Sequence, residues 1–232
     1  MRHLLFIAAL LLAQHPHGGV TASGGGGGGG STVTFVTYGN GDGHPLNWAS
    51  TVTNHDGWAV ILWCTTSSCG DVTAATNCNS AISVRTALSQ GAIKSQVVVC
   101  CDAASANNTT MTFSSGGSTY ASGVQFHGQT QGTATSCIDQ IATGTGNGTS
   151  AASSATSATG NANDLVLAGE AESVGQTITF GDDDQGHTYT NSGGYYTALN
   201  WGYVAESATA AYKAKGTYGT GADWTITCLA IK

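Results

Sequence analysis

The sequence predicts an all-β fold: an antiparallel β-sandwich, Ig-like or jelly-roll-like, of about a dozen strands. Three observations lead there. Apolar residues fall in short bursts separated by Gly, Ser, Asn and Asp, the spacing of strands and turns. No long helical period appears, although the chain holds only two prolines to interrupt one. Hydrophobic residues make up 41% of the chain against 8% charged, so a core is available and a disordered composition is not.

The elements follow in order. Thr32 to Tyr38 (TVTFVTY) alternates Thr with Val or Phe. Trp58 to Cys64 (WAVILWC) is apolar on both faces, which marks a central strand covered on both sides. Ala81 to Leu88 and Ile93 to Cys101 come next. In Thr109 to Ser114, Met111 and Phe113 share a face, and in Tyr120 to His127 so do Val124 and Phe126. Residues 143–163 are a low-complexity run of Gly, Thr, Ser, Ala and Asn. It reads as a long surface connection between two halves of one sandwich, or equally as an edge strand that packs only small residues. The pattern resumes with Asp164 to Ala171, Gln176 to Phe180, His187 to Thr190, Tyr195 to Val204 and Ala208 to Ala214. It closes with Trp224 to Ile231, where Trp224, Ile226, Cys228 and Ala230 share a face.

Ahead of these strands stands a leader. Met1-Arg2-His3 opens onto the apolar run Leu4 to Ala13, and Val20-Thr21-Ala22 offers a small-x-small cleavage site. The run is too short for a membrane span. The expected organisation is a secretory signal at 1–22, a glycine-rich tether at 23–30 containing Gly24 to Gly30, and one sandwich domain at 31–232. The expected location is extracellular or at the cell surface. The formal charge of −7 falls to about −8 once Arg2 leaves with the leader, which speaks against nucleic acid and anionic lipid surfaces as partners.

Seven cysteines follow the leader: Cys64, Cys69, Cys78, Cys100, Cys101, Cys137 and Cys228. Export permits disulfides, and an odd count leaves at least one cysteine outside an intramolecular pair. Cys69 and Cys78 flank a turn-like segment and are the expected local staple. Cys100 and Cys101 are adjacent in a strand, so their side chains point to opposite faces, one to the core and one outward. No Cys-x-x-Cys pair recurs with a second pair or a spaced His pair, so zinc has no pattern here.

Several segments together resemble a group of bacterial and phage-associated extracellular β-sandwich modules of surface proteins and appendages. They are Asn163-Asp164-Leu165-Val166-Leu167 after a Gly/Ser/Thr/Ala tract, the Asp184-Gln-Gly-His-Thr-Tyr-Thr190 turn, Val124-Gln-Phe-His-Gly128 with Ile138-Asp139-Gln140, and the ending Trp224 to Lys232. The resemblance spans roughly 56–232 and rests on strand and turn patterns. It implies the fold and an extracellular setting, and it brings no catalytic residues. The cysteine-rich stretch from Cys64 to Cys101 departs from it.

Asp182, Asp183 and Asp184 form the densest polar cluster. Three carboxylates beside a glycine turn are a candidate calcium site, and a hairpin turn is the plainer account. Glu170 and Glu172 share a strand face, the arrangement of a solvated face or of a hydrolytic pair. There is no Gly-x-Ser-x-Gly elbow and no His-Glu-x-x-His, so no residue is assigned a catalytic role. His44, His55, His127 and His187 are scattered. Asn107, Asn108 and Asn147 head glycosylation sequons. Trp58, Trp63 and Trp224 read as core, and Trp48 and Trp201 remain. Trp201 with Tyr195, Tyr196 and Tyr203 is a candidate patch for stacking on sugar rings. The tethered strand 31–38 is a candidate for donation to a neighbouring subunit. The expected function is therefore a non-enzymatic structural subunit of a filament or surface layer whose partners are copies of itself. The alternative is a carbohydrate-binding or adhesion module with a polysaccharide partner. No cofactor is expected apart from calcium.

Overall fold

The computed structural model of the chain describes residues 33–42, 46–65, 70–115, 120–183, 187–195 and 199–232. The leader, the tether, Cys69, Asp184 and Tyr196 lie outside the described residues. The fold is all-β, with no helix among the described residues. The first half of the chain supplies β1 (Thr34–Asp42), β2 (Leu46–Val52), β3 (Gly57–Thr65), β4 (Val72–Ala75), β5 (Ser83–Val84), β6 (Leu88–Gln90), β7 (Ile93–Cys100), β8 (Ala106–Phe113) and β9 (Tyr120–His127). The second half supplies β10 (Ile138–Ala152), β11 (Leu165–Glu172), β12 (Thr179–Phe180), β13 (Thr190–Tyr195), β14 (Leu199–Ala205) and β15 (Lys215–Ile231).

Each half builds its own antiparallel sheet. The N-terminal sheet runs β4-β8-β2-β1-β9-β3-β7-β5, with β6 also on β7; the C-terminal sheet runs β10-β15-β11-β14-β13, with β12 on β15. The passage between them is 128–137, not 143–163, because 143–152 continues β10 along β15. Small residues suit that strand: Gly144 and Gly146 alternate with exposed Thr143, Thr145 and Asn147. The sheets face one another across a core of Ala59, Ile61, Val97, Val124, Phe126, Leu165, Leu167, Trp201, Leu229 and Ile231, among others. A buried hydroxyl pair, Ser95 Oγ and Thr225 Oγ1 at 2.6 Å, crosses the same interface.

β3 behaves as its composition requires. It pairs with β7 on one side and β9 on the other. Ala59 and Ile61 enter the core between the sheets, while Trp58, Val60 and Leu62 enter a second core on the outer face of the N-terminal sheet. That outer core is closed because the sheet rolls over itself. β4, at one edge, approaches β7, near the other: Gln96 accepts from Val72 N at 2.9 Å and donates to Arg85 O at 3.0 Å.

A third core covers the outer face of the C-terminal sheet, where Ile178, Phe180, Tyr189, Tyr212 and Ala214 pack on Val166, Ala168, Ile226, Cys228 and Ala230. Its cover includes a ribbon, 153–159, laid against 210–214. Ser153, Thr156 and Thr159 donate their N–H groups to the carbonyls of Ala214, Tyr212 and Ala210. Their hydroxyls accept the N–H groups of the same three residues, at 3.0, 2.9 and 3.3 Å. These three are buried and the residues between them are exposed.

Two disulfides bind the described residues, Cys78–Cys100 and Cys101–Cys137. Cys78 therefore pairs with Cys100 and not with Cys69, because the turn after β4 folds back onto the end of β7, as the Cys78–Ala103 bridge records. Cys64 is also disulfide-bonded, and Cys228 is free and buried. Cys100 and Cys101 do point to opposite faces, but neither faces outward: both faces of this sheet are covered, and both residues are 0% exposed. The strand expected to reach a neighbouring subunit lies in its own sheet, where Thr34–Asp42 pairs along β9.

Candidate functional site

The densest polar assembly sits at one end of the N-terminal sheet, around the turn that leads into β3. Asp56, 3% exposed, accepts from Gln125 Nε2 at 2.5 Å and pairs with His127 Nδ1 at 2.6 Å. Gln125 and His127 reach it together because they alternate with core-facing Phe126 on β9, and Gly57 pairs with Phe126. His55, one residue earlier, takes a left-handed backbone (φ 68°) and pairs through Nδ1 with Asp102 Oδ1 at 2.9 Å. Gln129 and Gln131 both donate to His55 O at 3.0 Å, and Gln129 also bonds Cys101 O. Asn79 Nδ2 bonds Ala103 O at 3.1 Å beside Asp102. The two described disulfides start from neighbouring residues at the end of β7.

Chemically this is a pair of carboxylate-held imidazoles. Each keeps Nδ1 on an acid and turns Nε2 away, the orientation that suits a base or a metal ligand. Both rings are open to solvent, His127 at 69% and His55 at 56% side-chain exposure. Among the described residues no hydroxyl or thiol hydrogen-bonds either ring, and no group of three His, Cys, Asp or Glu is gathered for a metal. What the pairs do in the structure is clamp the strained turn at His55.

The second half places the remaining candidates. Asp182 and Asp183 do not converge: neighbours on an extended chain point apart, so Asp182 is exposed while Asp183 is buried. Asp183 accepts from His187 N at 3.0 Å and Lys213 N at 3.3 Å, and its carboxylate pairs with His187 Nδ1 at 2.8 Å. The His187 ring packs on Tyr212 with centroids 4.6 Å apart. Burial pushes the neighbouring Glu206 carboxyl up, opposed by His187.

Glu170 and Glu172 overturn the solvated-face expectation, since both are fully buried. Glu170 accepts from Tyr218 Oη at 2.6 Å and Asn200 Nδ2 at 3.0 Å. Burial pushes its carboxyl up to about 8, with the charge of Glu172 adding to the effect and the two hydrogen bonds opposing it. Glu172 caps the chain beyond β11, taking Val174 N and Gln176 N at 2.6 Å each. Glu170 holds the Tyr218 and Asn200 side chains, and Glu172 holds the backbone beyond β11.

Trp201 is also a core residue, 1% exposed, with Nε1 donating to Ser122 O at 2.9 Å. It is buried because β14 presents it to the facing sheet, so it has no free ring face for a sugar. Tyr203 is half-buried and stacked on Phe35 at 4.4 Å, and Tyr195 ends β13. Trp58 and Trp224 are core and Trp63 is partly buried, as their strands imply. Asn107 and Asn108 lie in β8; Asn147 is exposed on β10 and donates to Asp223 Oδ1 at 2.8 Å. Sequence reasoning missed the Asp56 clamp. Its signal was the Gln125-Phe-His127 alternation, two polar residues on the face opposite a core aromatic.

Comparison with protein-family models, with curated proteins and with solved structures gives no match.

Proposed function

We propose that the chain is a non-enzymatic structural subunit of an extracellular filament or surface layer. The disulfides support the setting: two bonds leave adjacent residues for opposite faces of one sheet, a design suited to an oxidising compartment. The fate of the acids supports the absence of chemistry. Asp56, Glu170, Glu172 and Asp183 are buried and each is taken up by two or more donors or pairings within the fold.

The observation that carries the assembly reading is the outer edge of β1. Its N-terminal part, 34–38, pairs with β9 on one side, whereas β2 reaches only Asn40–Asp42 on the other. Among the described residues no ladder occupies that second edge, and Val36 is exposed beside it. An open edge accepts a strand from another copy; β1 then receives a strand rather than donating one.

Negative-stain electron microscopy and size-exclusion chromatography of the secreted, disulfide-intact protein test the proposal. Regular elongated assemblies are expected from the native chain and only monomers from Val36→Lys, which places a charge on the edge. A native protein that stays monomeric at all concentrations sinks the assembly reading.

A further inference from the structure

Asp164 stands apart from every other buried acid described above. It lies just before β11, 1% exposed, and neither carboxylate oxygen has a hydrogen-bond partner. Buried charges are otherwise paired or bound to a metal. The group that faces it is the carboxyl of Asp139, within hydrogen-bonding reach. Ile231 of β15 pairs with Ile138 on one side and Leu165 on the other, so the two acids flank one rung of the sheet. Their strands are two spacings, about 10 Å, apart, and Asp139 is held at the end of the ribbon. Asp139 Oδ2 already accepts from Gly160 N at 2.6 Å and Asn161 N at 3.2 Å. Its Oδ1 takes no donor from the described residues.

Two ionised carboxylates repel each other, so the contact is stable only with a shared proton or a cation between them. We propose that Asp139 and Asp164 hold a divalent cation of the calcium type. The donors are all oxygens, which select a hard ion. Asp164 offers two and Asp139 one. The Asn161 amide, whose Nδ2 lies 3.4 Å from Asp139 Oδ2, supplies another by a half-turn, and water completes the shell. Asp139 is partly exposed, which leaves an entry path. The other charged groups near Asp164 are Lys232, whose ammonium acts on Asp164 but forms no ion pair with either acid among the described residues, and Glu206, which faces His187. Burial, followed by Asp139, pushes the Asp164 carboxyl up to about 7, and Lys232 opposes the shift. Two carboxylates in a partly open site suit the weak affinity of extracellular calcium modules, about 0.1–1 mM.

The test is thermal unfolding and titration calorimetry of the full disulfide-intact chain with calcium chloride, up to about 10 mM. The native protein and Asp182→Asn should both bind and melt several degrees higher with calcium. Asp139→Asn, at a partly exposed position, should bind at least tenfold more weakly, and Asp164→Asn should lose the shift. Lys232→Met, which removes a competing positive charge, should bind at least as tightly as the native chain. No heat and no melting shift in the native protein overturns the proposal. So does a calcium response unchanged in Asp139→Asn and Asp164→Asn. A melting temperature that depends on pH between about 6 and 8 through Asp164 but never on calcium also overturns it, because the pair then holds a proton.

Discussion

The outer faces of the two sheets are closed by different chemistry. The N-terminal sheet covers its own face by rolling β4, β5 and β8 over an apolar core of Trp58, Val60, Leu62, Met111 and Phe113, and Cys78–Cys100 seals that core. The C-terminal sheet has Cys228 as a free thiol and no described disulfide of its own. Its cover is a ribbon held by hydroxyls, and Asp164, Glu170, Glu172 and Asp183 are buried around it. One face depends on redox state and the other on protonation. A reductant and a base should therefore attack different halves of the same molecule.

The largest effect tests the covalent half. Reducing Cys78–Cys100 and Cys101–Cys137 should cost about 3 kcal/mol each, for loops of 22 and 36 residues. Urea unfolding with and without reductant measures it. Hydrogen exchange should show protection lost first over 72–103 while 153–159 and 210–214 keep theirs. Simultaneous loss in both regions would merge the two halves into one cooperative unit.

The next effect tests the polar half. Unfolded, Glu170 ionises near 4.5; folded, near 8. Between those values the folded state holds a proton that the unfolded state has released, so stability falls as pH rises through this window and levels off above it. At about 1.4 kcal/mol per unit the ceiling is about 5 kcal/mol. Melting curves from pH 5 to 9 should show a decline that is shallower in Glu170→Gln. The same slope in both proteins would remove Glu170 from the account.

The smallest of the three isolates a single rung of the ribbon. Thr156→Val keeps the shape but leaves the Tyr212 N–H buried without its acceptor, at a cost of about 2 kcal/mol. Ser154→Ala, at an exposed position between rungs, should change stability far less. Equal losses in the two variants, measured by chemical denaturation, would mean that the hydroxyl contacts do not hold the cover.

The sequence announced the fold class and most of the strong strands, because β3, β7, β9 and β11 bury large apolar side chains that propensity can see. It hid the strands made of small or polar residues. β10 reads equally as a linker or as an edge strand of small residues, and over 143–152 the edge strand forms, because its inward positions are Gly144 and Gly146, where close packing against Trp224 and the returning chain leaves no room for a side chain. β2 is not singled out as a strand, because LNWASTV is short of large apolar residues. The buried acids were illegible for another reason. Glu170 and Glu172 sit in a strand whose two faces are both covered, and no local pattern distinguishes a wet face from one covered by a segment forty residues away. The Cys78–Cys100 pairing failed likewise: proximity in sequence favoured Cys69, and proximity in space is set by the roll of the sheet.

The ribbon has one further property, which concerns how such a protein tolerates change. Its buried hydroxyls recur every three residues, at Ser153, Thr156 and Thr159, while the partner segment offers its groups every two, at Ala214, Tyr212 and Ala210. Each triplet therefore advances about as far as two strand residues, roughly 7 Å. Deleting one residue from 154–158 would put the downstream hydroxyl out of phase with its partner, whereas deleting three would remove one rung and leave the next in step. This stretch has, in effect, a reading frame at the level of protein structure, and viable length variants should differ from it by multiples of three.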